Sequence, residues 1–128
     1  MINLTRIVAV VDDDESVRRA LKSLLHSVGV EADIFLSGEA FLGSLSSAPA
    51  GRPACVIADF QMSGIDGLEL QRRPAPTGMP IIFITGHDDP AVREKALATG
   101  AASYLKKASN DAELIRSVEK ALELRKLP

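Results

Sequence analysis

Residues 7–15 read Ile-Val-Ala-Val-Val-Asp-Asp-Asp-Glu, so five apolar residues are followed at once by four acids. The apolar run does not alternate with polar residues, which is typical of a strand covered on both faces in a parallel sheet. In open sheets of this kind, ligands bind beyond the carboxyl ends of the strands. The stretch therefore predicts a buried strand that brings carboxylates to a binding edge.

Four further apolar runs of the same kind occur along the chain, at residues 32–35, 55–58, 81–84 and 102–105. Segments with helical spacing separate them. In the first such segment Val17, Leu21, Leu24 and Leu25 form one apolar stripe, and Gly29 stands where a helix commonly ends. Strands and helices thus alternate five times, which predicts an α/β fold with a doubly wound parallel sheet and helices on both faces.

The length, composition and charge of the chain favour a single globular domain. The chain has 128 residues, 46% of them hydrophobic, and a formal net charge of -2. This size fits one domain over residues 1–128, and the charge gives no basic field for direct nucleic-acid binding. The apolar runs are too short for a membrane span and no secretory signal is visible, so we expect a cytoplasmic location. The single cysteine, Cys55, lies in an apolar run and is predicted to be a buried thiol.

Polar residues follow four of the five predicted strands. Asp12 and Asp13 come after the first, Asp59 after the third, Thr85 after the fourth and Lys106 after the fifth. Carboxylates crowded at one edge repel each other and favour a hard cation such as Mg²⁺. A lysine and a hydroxyl beside such a site can hold a transferring phosphoryl group, and a carboxylate can serve as its nucleophile. These residues predict phosphoryl transfer to Asp59.

The whole sequence resembles the receiver family of two-component response regulators. The matching stretches are residues 7–14 (IVAVVDDD), 58–62 (ADFQM) with Gly67 beyond, 84–86 (ITG), 100–101 (GA) and 104–106 (YLK). The resemblance implies the flavodoxin-like receiver fold, with sheet order 2-1-3-4-5. It also implies that Asp12, Asp13, Asp59 and the carbonyl of Gln61 bind Mg²⁺.

The same resemblance assigns roles in signalling. It implies that Asp59 is the phosphoacceptor, that Thr85 and Lys106 contact the phosphoryl group, and that Gly86 leaves room for it. Thr85 and Tyr104 resemble the family's switch pair. A sensor histidine kinase would be the donor. The switched surface would then select a downstream protein or a tethered output domain, which we expect to be absent from this chain. A homodimer formed on phosphorylation is left open. The domain would catalyse only its own phosphorylation and dephosphorylation.

Three features of the sequence depart from the family pattern. Ser63 replaces a proline four residues after the phosphoacceptor, and Lys107 replaces the cis-proline that usually follows the family lysine. A cis bond before a residue other than proline costs about 2.5–4 kcal/mol, so we predict a trans peptide between Lys106 and Lys107. Pro74 and Pro76 interrupt the third helix, which predicts a helix of about residues 68–72. Such a short helix either leaves the sheet thinly covered or is supplemented by the Pro-rich loop folding over the gap.

Two other functions compete with this interpretation. A degenerate receiver would accept no phosphate and serve only as a protein-docking module. A flavodoxin-like cofactor binder would share the sheet order, but acids follow the first strand where a flavin phosphate would need a cradling loop. Labelling with acetyl phosphate separates the first alternative from a working phosphoacceptor.

Overall fold

The structure is a computed structural model that describes residues 7–47, 53–62, 64, 66–72, 79–86, 89–107 and 111–126. The strands are β1 (Ile7–Val11), β2 (Glu31–Phe35), β3 (Cys55–Asp59), β4 (Ile81–Thr85) and β5 (Ser103–Lys106), and the helices are α1 (Glu15–Ser27), α2 (Gly38–Ser47), α3 (Gly67–Arg72), α4 (Pro90–Ala98) and α5 (Asp111–Lys126). All five predicted strands are present, and their bounds differ from the apolar runs by at most one residue. None of the described helices has the length and apolar content of a membrane span.

The strands form one parallel sheet in the order β2-β1-β3-β4-β5, which confirms the predicted fold. The register pairs Val11 of β1 with Ala58 of β3, and Asp59 of β3 with Ile84 of β4. The carboxyl ends of β1, β3 and β4 therefore meet at one edge of the sheet. This edge is where the predicted site residues should lie.

Each central strand contributes to two separate cores. In β1, Val8 and Val10 pack under α1 and α5, whereas Ala9 and Val11 pack under α2, α3 and α4. All four side chains are fully buried. Because successive side chains point to opposite faces, a strand covered on both sides must be apolar throughout, which explains the missing alternation.

Acidic side chains cap the starts of α1 and α4. Asp14 Oδ1 accepts a hydrogen bond from the Ser16 N–H at the start of α1, and Asp89 Oδ1 accepts one from the Ala91 N–H at the start of α4. Such caps satisfy N–H groups that have no partner within the helix. Gly29 follows α1 with a φ of 80°, a left-handed conformation that favours glycine.

The third helix is short, with six residues, and begins close to the position expected from the sequence. Residues 73–78, which include Pro74 and Pro76, lie outside the described residues, and so does Ser63. The expectation that the sheet is thinly covered here is wrong. Val56, Ala58 and Phe83 are fully buried, and Leu70 of α3 is buried with them.

The single cysteine is part of the core, as predicted. Cys55 is fully buried on β3 in the cluster under α1 and α5. Burial raises the pKa of its thiol from 9.0 to about 12, because the interior disfavours the thiolate. The thiol is therefore neutral in the folded protein at ordinary pH.

Candidate functional site

Three carboxylates meet at the carboxyl edge of the sheet. Asp12 directly follows β1 and is fully buried, Asp59 ends β3 and is 4% exposed, and Asp13 is exposed. One oxygen from each of the three lies within 4.8 Å of the others. The structure thus brings together the three acids that the sequence singled out.

A lysine joins this cluster, but it is not the predicted one. The Lys107 Nζ lies 3.1 Å from Asp59 Oδ2 and 3.2 Å from Asp12 Oδ2. The contact with Asp59 also has hydrogen-bond geometry. Lys106 is exposed at the end of β5, so the prediction that it pairs at the site is wrong.

The alternation of side chains along the strands explains the correction. Asp12 and Asp59 continue the set of residues in β1 and β3 that faces α1 and α5. On β5 the side chain of Leu105 lies on that same face, and alternation places the side chain of Lys107, two residues later, on it as well. Lys106 shares the opposite face with Tyr104 and points away from the carboxylates.

The peptide between Lys106 and Lys107 is trans, as predicted. The backbone N–H of Lys107 donates to the Thr85 carbonyl at 2.8 Å, which extends the pairing of β4 and β5 by one bond. Since Lys107 is the lysine at the site, the departure from the family's lysine–proline pattern falls at Ala108. That residue lies outside the described residues.

Burial and mutual attraction set the charges of the pair. The pKa of Asp59 lies above its usual value, mainly because burial disfavours the charged carboxylate. The hydrogen bonds from Lys107 and from the Gln61 N–H lower this pKa, whereas the negative charge of Asp12 raises it. Burial lowers the pKa of Lys107, but its close contacts with the carboxylates of Asp59 and Asp12 outweigh this and raise it. Lys107 therefore remains an ammonium ion that offsets part of the carboxylate charge.

The loop after β3 holds Asp59 from its other side. The backbone N–H of Gln61 donates to Asp59 Oδ1 at 3.1 Å. Gly67, at the start of α3, packs so closely that a Cβ there would lie 2.9 Å from the Phe60 Cα, and its N–H donates to the Phe60 carbonyl at 3.0 Å. Glycine at this position lets α3 fix the loop that carries Gln61.

The predicted switch residues lie on the opposite face of the sheet from the acids. Thr85 and Tyr104 are 1% and 2% exposed. The Tyr104 ring meets the ring of Phe60 edge-on, with centroids 5.6 Å apart. A Cβ built on Gly86 would meet no described atom within 4 Å, which is consistent with open space beside Thr85.

The donor set suits a hard divalent cation. All three side chains offer carboxylate oxygens, and one of them, Asp13, faces solvent. Mg²⁺ prefers oxygen ligands and keeps several waters, which a site open on one side allows. The residues present therefore fit Mg²⁺.

Sequence reasoning missed two residues of this site. Lys107 could have been found by counting side-chain alternation from Leu105. Arg18 could not, because a basic residue on an amphipathic helix is usually solvated. The structure buries it, with Nη1 donating to the Asp12 carbonyl at 2.8 Å.

A doubly wound parallel sheet with three acids, a threonine and a lysine at its carboxyl edge is the arrangement that the resemblance to receiver domains implies. Residues 8–119 match the response regulator receiver domain family, and the chain belongs to that family. It is therefore a receiver domain of two-component systems, which confirms the resemblance seen in the sequence.

Known relatives agree with this assignment. The response regulator protein TmoT of Ectopseudomonas mendocina is 37% identical over 92% of this chain and 53% of its own length. The transcriptional regulatory protein FixJ of Bradyrhizobium diazoefficiens is 36% identical over 88% of this chain and 55% of its own length. The crystal structure of a response regulator receiver protein from Burkholderia phymatum is 54% identical, with a TM-score of 0.84 over 92% of this chain and 95% of that one. The chain spans about half the length of the curated relatives.

Proposed function

We propose that Asp59 accepts a phosphoryl group from a sensor histidine kinase in a reaction that depends on Mg²⁺. The observation that carries the proposal is the position of Asp59 between Asp12, Asp13 and Lys107. A carboxylate nucleophile stands there beside two further acids that suit a cation and beside an ammonium group that suits a phosphate.

The chain's own residues would act as nucleophile and as charge stabilisers. An Asp59 carboxylate oxygen attacks phosphorus, the new O–P bond forms, and the P–N bond to the kinase histidine breaks. The electron pair of that bond stays on the imidazole, which takes up a proton. Lys107 then exchanges its contact with the Asp59 carboxylate for one with a phosphoryl oxygen, and the Thr85 hydroxyl donates to another.

Asp12, Asp13, Asp59 and the carbonyl of Gln61 would hold the metal. When bound, Mg²⁺ neutralises the carboxylate charge that would otherwise repel the incoming phosphoryl group. The hydrogen bond from the Gln61 N–H to Asp59 keeps the chain at Gln61 folded back toward the acids. That orientation supports the inclusion of its carbonyl.

Thr85 and Tyr104 would report the modification to a partner. Both are buried on the face of the sheet that α4 covers, and the Tyr104 ring contacts Phe60, the residue after Asp59. A movement of Thr85 toward the phosphoryl group would change the packing around Tyr104. The recognised partner would be a downstream protein, an output domain of a longer protein or a second copy of the chain. The name of FixJ, a transcriptional regulatory protein, and the half-length match to it support an output domain.

Incubation with acetyl phosphate, followed by intact mass spectrometry, tests the proposal. The wild type with Mg²⁺ should gain the mass of one phosphoryl group, whereas wild type with EDTA and Asp59→Asn with Mg²⁺ should not. An equal gain in all three samples would refute the assignment. No gain in any sample would favour a docking module that is never phosphorylated.

A further inference from the structure

Asp12 is held at every polar atom by a different part of the chain. Its N–H donates to the Phe35 carbonyl at the end of β2 at 3.2 Å, and its Oδ1 accepts from the Asp14 N–H at 2.8 Å. Its Oδ2 faces the Lys107 ammonium, and its carbonyl accepts from Arg18. The buried side chain itself is held by one hydrogen bond to Oδ1 and one ion pair to Oδ2.

The bond from Arg18 is unusual among these four because it uses a buried charged side chain. Arg18 is 8% exposed, and the bond from its Nη1 to the Asp12 carbonyl is also buried. Burying a guanidinium costs solvation energy unless it is hydrogen-bonded, and bonds from charged donors are the stronger ones. Within the described part of the chain, no carboxylate lies within 4.0 Å of Arg18, so its positive charge is directed at the Asp12 carbonyl.

The backbone of Arg18 is fixed as well. Its N–H donates to the Asp14 carbonyl at 3.1 Å, in the first turn of α1. The arginine thus joins a rigid helix to the loop that leads into it. An exposed neighbour, Arg19, occupies the same helix without this contact.

The orientation of the Asp12 carbonyl also affects where Asp13 lies. The carbonyl of one residue and the N–H of the next share one planar peptide unit. An arginine that fixes the Asp12 carbonyl therefore fixes the peptide plane from which Asp13 starts. Asp13 is exposed, and the packing that orients Asp12 is not available to it.

We propose that Arg18 is a positioning residue for the carboxylate cluster, which it orients for Mg²⁺ through the Asp12–Asp13 peptide without touching the ion. This inference rests on the proposed metal site. Residues that orient metal ligands typically change metal affinity by roughly 10–100-fold when they are removed. A merely structural arginine would instead change stability and leave the affinity as it was.

Isothermal titration of the full chain with MgCl₂ tests the inference. Arg18→Met keeps the apolar stem and removes all donors, and we expect its Mg²⁺ dissociation constant to rise by roughly tenfold. Arg18→Lys, which keeps one charged donor, should recover part of the affinity. Arg19→Met removes an exposed charge one residue away and should bind as the wild type does.

A folded Arg18→Met variant with the wild-type dissociation constant would overturn the inference and leave the metal site standing. If circular dichroism shows that Arg18→Met is unfolded, Arg18→Gln replaces it, because its amide is too short to reach the carbonyl from the same helix position. Weaker binding by Arg18→Gln supports the inference, and unchanged binding overturns it. A wild type that does not bind Mg²⁺ overturns the proposed function, and this inference with it.

Discussion

The ammonium nitrogen of Lys107 lies 3.1 Å from Asp59 Oδ2, and the same nitrogen lies 3.2 Å from Asp12 Oδ2. One cation thus joins carboxylates that end two neighbouring strands. Repulsion between these acids is partly offset before any metal binds. Phosphorylation of Asp59 would release one of these contacts and leave Lys107 free to contact the phosphoryl group.

Exchanging each of the two adjacent lysines for methionine separates their roles. With saturating Mg²⁺, Lys107→Met should slow acetyl-phosphate labelling by roughly 100-fold, the usual cost of removing a group that stabilises transition-state charge. Lys106→Met, its matched control, should label at the wild-type rate because Lys106 is exposed. The measurement is the time course of intact mass. A slow Lys106→Met beside a normal Lys107→Met would contradict the position of the lysine.

Mg²⁺ should raise the melting temperature of the wild type by several degrees. A ligand that binds only the folded state stabilises it by about 2.7 kcal/mol at roughly 100 times its dissociation constant. Asp13→Asn should melt higher than wild type in EDTA, because one repelling charge is gone, and should gain less from Mg²⁺. Glu15→Gln, with the same charge change just outside the cluster, should respond to Mg²⁺ as the wild type does. Equal melting curves for the wild type with and without Mg²⁺ would contradict the site.

Cys55 predicts a loss of stability in alkali. Its pKa is raised from 9.0 to about 12 in the folded protein, so the unfolded chain releases the thiol proton first. The folded protein favours the neutral thiol, and this contribution to stability is complete below the thiol pKa of the unfolded chain. It is lost as the pH rises from that pKa toward the thiol pKa of the folded protein. Between these values the loss is about 1.4 kcal/mol per pH unit.

Urea unfolding of the wild type and Cys55→Ala isolates this effect. Other groups that titrate in alkali are common to both proteins and cancel in the difference. Near neutral pH the wild type should be the more stable, because alanine leaves a small cavity. One pH unit above the unfolded thiol pKa the gap should be about 1.4 kcal/mol smaller than near neutral pH. A gap that does not change with pH would show that the thiol ionises equally in both states.

The amides of α3 should exchange with solvent well before those of α5. A helix of six residues lies far below the length at which helices are stable alone, so its protection depends on packing around Leu70. The sixteen-residue α5 buries Leu114, Val118, Ala121 and Leu122 against the sheet. Hydrogen exchange with mass spectrometry compares both helices in one sample. Equal protection would mean that α3 is held as firmly as the core.

The fold and the position of the acids at the edge of the sheet could be predicted because each depends on the order of residues within a short stretch of sequence. Strands buried on both faces are continuous apolar runs, and the acids directly follow two such strands. The lysine could not be chosen so simply. Lys106 and Lys107 both follow the last apolar run, and the choice between them depends on which face each occupies.

The contact made by Arg18 could not be predicted from residue spacing at all. Its spacing places it beside the apolar stripe of α1, where most arginines are solvated. Only the folded chain places its guanidinium beneath the Asp12 carbonyl. Contacts between a helix side chain and a backbone group in the preceding loop depend on distances that spacing does not reveal.

Chemical trapping of the modified residue tests the central claim most directly. Borohydride reduces an aspartyl phosphate to homoserine, so labelling with acetyl phosphate and Mg²⁺, then reduction and peptide sequencing by mass spectrometry, identifies the acceptor. We predict reduction at position 59 in the wild type and none there in Asp59→Asn. Reduction at Asp12 or Asp13 instead, or a phosphorylated protein with no reduced aspartate, would contradict the assignment of Asp59 as the phosphoacceptor.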